Sequence, residues 1–243
     1  MYILTKRFLF PSARILRDSL QEITKEKILI TIDPTKVKQP FIRFGNSDLL
    51  PFETQYNSAN FVKFCTNKLN FSKVMKENNI PSPVYNKNKP EEYPILIRQT
   101  LFGSRGKGIV LVKDENTFQD IWNMSYFWTP FYKIDFELRV HILGGKIAKI
   151  FKKELEEDSE YPIRNNEFCH FAVKDSIKFP KLFPFVDTLI QVPEINCGKF
   201  YSLDVGWDSY NKNYFVFEMN SASGLNENTS KLYAEYLAKE MEL

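Results

Sequence analysis

The sequence predicts a mixed α/β (α+β) protein, and three observations carry that prediction. Residues 1–50 alternate short apolar runs with one helically spaced segment. A glycine-rich turn joins two strands in the middle of the chain. Toward the C-terminus come two hairpins, one opening on a strand that alternates polar and apolar residues, the other closing on an apolar run that carries a carboxylate and a carboxamide two residues apart.

In the N-terminal stretch, Pro11-Ser12-Ala13-Arg14-Ile15-Leu16-Arg17-Asp18-Ser19-Leu20 opens with Pro-Ser and spaces its apolar residues helically. Ile28 to Ile32 and Phe41 to Phe44 read as buried strands. Strand, helix, strand with short loops is an open α/β lobe. Its strand ends, at Ser12 and at Arg43 to Ser47, are where such lobes hold ligands. Arg43 reads equally as a ligand contact or as a surface ion pair.

Asn57-Ser58-Ala59 caps a helix through Cys65, and Thr66-Asn67-Lys68 precedes a second helix over Leu69 to Asn78. Lys68 opposes the dipole at the start of that helix, which prefers negative charge there. Either it meets an anion or it is a solvated lysine. Tyr93 to Gln99 then reads as a buried strand ending in Arg98 and runs into Gly103-Ser104-Arg105-Gly106-Lys107-Gly108, before a second strand at Ile109 to Val112. Backbone amides in such a turn can approach phosphate oxygens, with Arg105 and Lys107 adding charge; a plain hairpin is the other reading. It is neither a Walker loop nor a Rossmann turn, because a strand follows where those motifs open a helix.

Asp114 to Asn123 reads as a helix, and Phe127 to Ile134 as an aromatic extended stretch. Glu137 to Leu143 alternates strictly, and Gly144-Gly145 is a two-residue turn into Lys146 to Lys153. Counting across that turn places Lys152 opposite Glu137, so that Glu137, Arg139, His141 and Lys152 share one face, with His141 read as structural. Glu154 to Glu160 reads as a solvated acidic loop, Asn165 to Phe171 as a strand with polar alternates, and Phe179 to Gln191 as a helix on the core.

Tyr201 to Gly206 and Tyr214 to Asn220 form the last hairpin. The second strand carries Glu218 and Asn220 on one face, and a hairpin centred on Asn211 sets Asp204 opposite Glu218. Two carboxylates and an amide oxygen are hard donors that suit Mg²⁺ or Mn²⁺ better than zinc. The loop Ser221 to Asn226 and an amphipathic helix over Thr229 to Leu243 close the chain.

Composition narrows the class further. With 243 residues and 43% hydrophobic content, the chain can bury a substantial core, as one large domain or two to three lobes. The balance of 33 Lys and Arg against 30 Asp and Glu argues against a nucleic-acid coat or membrane-surface protein. Cys65, Cys169 and Cys197 are odd in number and lack CxxC spacing, which fits neither a disulfide framework nor a zinc knuckle and points to a reducing cytoplasm. No apolar run approaches the ~20 residues of a membrane span, and no secretory leader is evident. The abundance of Lys, Asn, Phe and Ile is what an AT-rich genome produces, as in a phage, virus or low-GC bacterium, and a phage protein would work in the host cytoplasm.

The order of these pieces resembles the ATP-grasp superfamily over roughly residues 56 to 240. The resemblance rests on Asn57-Ser58-Ala59 through Asn67-Lys68-Leu69 to Pro83, on Glu137-Leu138-Arg139-Val140, and on Glu218-Met219-Asn220-Ser221-Ala222-Ser223-Gly224-Leu225. The last phrase is similar to the Glu-x-Asn-x-x-x-Gly ending of carboxylate-amine ligases, and the whole is similar to small phage and bacterial members with an Arg-Phe/Trp-Gly-Asn lobe. The resemblance implies a pre-ATP-grasp lobe at 1–55, a central and lid lobe at 56–132, and a C-terminal lobe with the metal site at 133–243, ATP lying between the last two. It implies that Lys68, Arg98 and the loop Gly103, Ser104, Arg105, Gly106, Lys107 and Gly108 hold ATP phosphates. It further implies that Lys133 and Ile134 meet adenine and that Glu137 meets the ribose. Asp204, Glu218 and Asn220 would hold Mg²⁺, or Mn²⁺, while Arg139 and Lys152 steady the transferring group.

The implied activity is ATP-dependent joining of a carboxylate to an amine through an acyl phosphate, releasing ADP and phosphate. The substrates would be small molecules or peptides, with sites near Ser12, Arg43, Asn46 and the loop after Asn220. A kinase on the same scaffold and a non-catalytic ATP-binding module stand as alternatives. Two departures from the family pattern are Arg98 where many relatives have Lys, and Ser202 where many ligases place an Arg. Nothing in the sequence sets the oligomeric state.

Overall fold

The computed structural model describes residues 1–7, 10–52, 56–99, 108–122, 127–155, 169–173, 179 and 181–242. It contains three sheets. In the first, β1 (Tyr2–Thr5) lies between β2 (Leu29–Thr31) and β3 (Phe41–Phe44), all parallel. Helix α1 (Pro11–Thr24) makes the crossover from β1 to β2, with proline in its first turn and Lys25 in the left-handed region at its end. Its buried face, Ala13, Leu16 and Leu20, packs against Tyr233, Ala234 and Leu237 of the last helix, α7 (Glu227–Glu240).

The second sheet is antiparallel in the order β5 (Ile109–Val112), β4 (Ile95–Arg98), β6 (Phe127–Pro130). Phe118 of α4 (Glu115–Trp122) closes one side of it over Ile95, Ile97, Val112 and Trp128.

The third sheet is antiparallel, in the order β11 (Asn213–Asn220), β10 (Phe200–Asp208), β7 (Phe136–Leu143), β8 (Lys146–Leu155), β9 (Cys169–Val173). Its apolar face presents Leu138, Val140, Ile142, Ile150, Leu203, Val205 and Val216 to α2 (Ala59–Thr66), α3 (Lys68–Glu77), α5 (Leu182–Ile190) and α6 (Pro193–Asn196). Each of those buried aliphatic side chains contributes about 1.5–3 kcal/mol. That layer fixes which strand face is left for polar residues. The carbonyl of Pro81 accepts from the amide of Val216, so the segment after α3 is tied to the outer edge of β11.

Both hairpins of this sheet contain a one-residue bulge, and each bulge decides which side chains reach the polar face. In the β7–β8 hairpin, Leu143 pairs with Lys146 across the Gly144-Gly145 turn, but His141 pairs with Lys149 and leaves Ala148 as the extra residue. The expected pairing of Lys152 with Glu137 is thereby corrected: Glu137 faces Lys153, and Lys152 faces Leu138. In the β10–β11 hairpin the turn pairs Asp208 with Asn213, and Phe217 is the extra residue, which brings Asp204 opposite Glu218.

Candidate active site

The polar face of the third sheet gathers six charges. Arg139 grips Asp204 with two hydrogen bonds of 2.8 Å, Nε to Oδ1 and Nη2 to Oδ2. Lys153 Nζ donates to Asp204 Oδ2 at 2.7 Å and also to Glu137 Oε1. Lys68, the first residue of α3, donates to Glu218 Oε2, and Asn220 Nδ2 lies 3.4 Å from Glu218 Oε1. Ladder pairing carries the network across the strands: Glu218 faces Asp204, Asp204 faces Arg139, and Glu137 faces Lys153.

Three cations and three anions thus balance on one surface, and four of the six, Glu137, Arg139, Lys153 and Asp204, are buried. A fold does not gain much stability from such a network, since well-packed apolar residues usually serve as well or better. A cluster of buried, mutually tuned charges is a mark of a functional site. Burial pushes the Asp204 carboxyl up, but the charges of Arg139 and Lys153 outweigh it and hold the group well below the usual carboxylate range. Burial works against the charge on Lys153, and Asp204 and Glu137 more than restore it. For Glu137 burial wins and raises the carboxyl. For Glu218 burial raises the carboxyl and the charge of Lys68 reverses the shift, leaving it lowered.

At the Gly206 end of the same face the surface turns apolar. A Cβ placed on Gly206 would sit 2.4 Å from Phe217 and 3.0 Å from Ile134, so only glycine permits this approach. Beyond them Tyr132 packs against Phe215, with ring centroids 5.4 Å apart. Arg98 ends β4 with its Nε buried and without a hydrogen-bond partner among the described residues. Its charge and that of Glu218 both act on the Tyr85 hydroxyl, which burial pushes up to about 12.

At the other end of the site, the N-terminal lobe meets the loop after Asn220. A Cβ on Gly45 would approach that of Ala222 to 2.7 Å. Ser12 Oγ accepts from the amide of Leu225 at 3.0 Å, and the guanidinium of Arg139 lies 3.7 Å from where a Gly224 side chain would begin. Ser202 bonds Ser223 at 2.7 Å and so helps hold this loop.

Of the residues the sequence marks, the structure brings Lys68, Glu137, Arg139, Asp204, Glu218 and Asn220 onto one face, with Ile134 beside Gly206 at its end. Arg98 and Gly108 sit at facing ends of β4 and β5, where Gln99 donates to the Gly108 carbonyl at 2.7 Å. Lys133 is exposed between β6 and β7. Gly103, Ser104, Arg105, Gly106 and Lys107 lie outside the described residues. Lys152 is not in the cluster; it pairs with Glu154 at 3.3 Å, away from the face it was expected to share. Lys153 takes that place, and only the bulge at Ala148 marks it. Arg43 donates to the Asp48 carbonyl, and Asn46 bonds Thr5 and Asp48, so both brace the lobe's own loop. His141 is structural: its Nδ1 lies 2.9 Å from the Tyr233 hydroxyl, and burial, then Arg139, lowers it to about 3.

Neither a protein-family model nor a curated protein sequence matches this chain. Solved structures do. The D-alanine–D-alanine ligase of Bacillus anthracis complexed with ATP superposes with a TM-score of 0.71, at 12% identity, over 99% of this chain and 96% of that one. The ATP-grasp ligase PsnB complexed with minimal precursor gives 0.67 at 9% identity over 98% of each chain. The macrocyclase MdnC of Microcystis aeruginosa, bound with precursor peptide MdnA, gives 0.62 at 11% identity, over 98% of this chain and all of that one.

The chain has the ATP-grasp fold. The likeness spans nearly the whole chain, residues 1–55 included. Within this fold, Arg98 at the end of β4 and Glu218 on the charged face both act on Tyr85, and Pro81 ties the segment after α3 to β11.

The donor set suits a divalent cation in part. Asp204 directs both carboxylate oxygens at cations of the protein, whereas Glu218 has one oxygen with only a long contact and Asn220 adds an amide beside it. Among the described residues no three His, Cys, Asp or Glu side chains gather to cage a metal.

Proposed function

We propose that this chain is an ATP-dependent ligase that joins a carboxylate to an amine, releasing ADP and phosphate. The observation that carries the reading is the pairing of Arg139 and Lys153 on Asp204 beside the Lys68–Glu218 pair. Such an arrangement holds cations for a polyphosphate tail and hard oxygens for its metal on one sheet and the helix start beside it.

Glu218 and Asn220 would hold Mg²⁺, with Asp204 oriented behind them by Arg139 and Lys153. When bound, the metal supplies charge neutralisation on the phosphates. Lys68 and Arg98 bind phosphate oxygens, and the buried Nε of Arg98 gains there the acceptor that the described residues do not give it. Ile134 and Phe217, which meet at Gly206, would form an apolar wall for adenine, and Glu137 would bind the ribose hydroxyls. Arg139 and Lys153 face the developing charge as the terminal phosphoryl moves to the substrate carboxylate. Phosphoryl transfer needs mainly such positioning and neutralisation, with little covalent help. The acceptor amine would approach over Ser221 to Leu225, which Ser12 and Ser202 hold in place. The class of substrate, small molecule or peptide, follows by analogy from ligases of both kinds among the matches.

The test is stoichiometry. Incubating the protein and Mg·ATP with pooled acids and amines should release ADP and phosphate only when both partners are present, and mass spectrometry should find their condensation product. Release of AMP and pyrophosphate would overturn the reading. Ser202 supports a second reading, a non-catalytic ATP-binding module: where many ligases have an arginine for the acyl phosphate, this hydroxyl bonds Ser223. ATP binding without turnover in the same screen would favour it.

A further inference from the structure

We infer that Lys68 and Glu218 form a latch that makes nucleotide and metal binding depend on each other. The inference rests on the proposed reading of the site as one for ATP and a divalent cation. The two residues are 150 positions apart in the chain, on α3 and β11, yet the ammonium meets the carboxylate directly, with side chains 11% and 31% exposed. Each therefore occupies the place that a ligand group would take on the other.

Consider each ligand arriving alone. A dication at Glu218 must displace Lys68 and leave an ammonium beside a double positive charge. Metal-free ATP at Lys68 must free the Glu218 carboxylate, with Asp204 directly opposite it on the ladder, to face the phosphates. Both outcomes set like charges against each other in a half-buried site, where such contacts are costly. Arriving together, the phosphates take Lys68 and the cation takes Glu218, so every charge keeps a partner. Lys68 also sits in the first turn of α3, where the helix dipole favours an incoming anion over a lysine alone. Because linkage is reciprocal, the factor by which metal tightens ATP equals the factor by which ATP tightens metal.

The experiment uses the full chain. Mn²⁺ binding is followed by the electron paramagnetic resonance of the free aquo ion, and metal-free ATP binding by calorimetry in EDTA. Lys68→Met should bind Mn²⁺ alone about tenfold more tightly than wild type, since Glu218 is released. Glu218→Gln should bind metal-free ATP about tenfold more tightly, since Lys68 is released. Lys152→Met removes a like charge from the same sheet without touching Glu218, and should change Mn²⁺ affinity less than twofold. Unchanged or weaker Mn²⁺ binding by Lys68→Met, or unchanged or weaker ATP binding by Glu218→Gln, overturns the latch; so does an equal gain in Lys152→Met. Lys68→Gln replaces Lys68→Met if the latter fails to fold. Wild type that binds no Mn·ATP at all overturns the underlying reading, whereas Mn·ATP binding without the variant effects overturns the latch alone.

Discussion

Lys153 Nζ stands 2.7 Å from Asp204 Oδ2, although the sequence points to its neighbour Lys152. The bulge at Ala148 turns Lys153 inward and sends Lys152 out to Glu154. Lys153→Met is therefore expected to lower kcat by about 100-fold, the scale of losing one preorganised charge in a transition state. Lys152→Met should stay within about threefold, since a half-exposed pair contributes little. Steady-state ADP release with the two variants checks this, and the reverse order would reject the placement.

Asp204 is the shared counter-ion of two buried cations, so it is also a structural keystone. Asp204→Asn should destabilise the fold by about 3–5 kcal/mol, because Arg139 and Lys153 would be left with too little negative charge. In Asp204→Asn/Lys153→Met the loss should be less than the sum of the two single losses, since one stranded charge is gone. Urea unfolding of all four species gives the coupling, and strict additivity would contradict the network.

Gly206 permits the approach of Phe217 and Ile134. Gly206→Ala forces a methyl into a 2.4 Å gap against the Phe217 ring, which should cost about 1–3 kcal/mol of stability as an overpacked site. If that wall meets adenine, KM for ATP should also rise about tenfold while kcat changes little. A kinetic titration with ATP separates the two.

His141 provides the pH dependence. Its folded-state value of about 3 lies below the ordinary 6.5, so the unfolded chain binds the proton more readily. The stability it contributes is complete above pH 6.5 and is lost progressively as pH falls toward 3. At pH 5 the loss is about 2 kcal/mol, at ~1.4 kcal/mol per pH unit. Between pH 7.5 and pH 5 wild type should lose about 2 kcal/mol more than His141→Gln in urea unfolding, since the raised Glu137 carboxyl, which acts in the opposite direction as pH falls, is common to both. An equal decline in both would assign it to other groups.

The sequence by itself determined most of the elements and which charged residues share a strand face. Alternation in β7 and β11 put Glu137 with Arg139 and Glu218 with Asn220 on shared faces, because the pleat has a period of two. The order of lysine, basic strand end and terminal hairpin was enough to suggest the ATP-grasp fold. What it could not set was the register within the hairpins. A single extra residue reverses the parity of every side chain beyond it, and bulges leave little trace in composition. In β11 the bulge at Phe217 preserved the expected facing of Asp204 and Glu218; in β8 the bulge at Ala148 exchanged Lys152 for Lys153. Tertiary structure alone decided the long-range pairs: Lys68 on Glu218, Ser12 on Leu225, and α7 on α1. No local pattern encodes those contacts, because they form only where separately folded layers bury their apolar faces against one another.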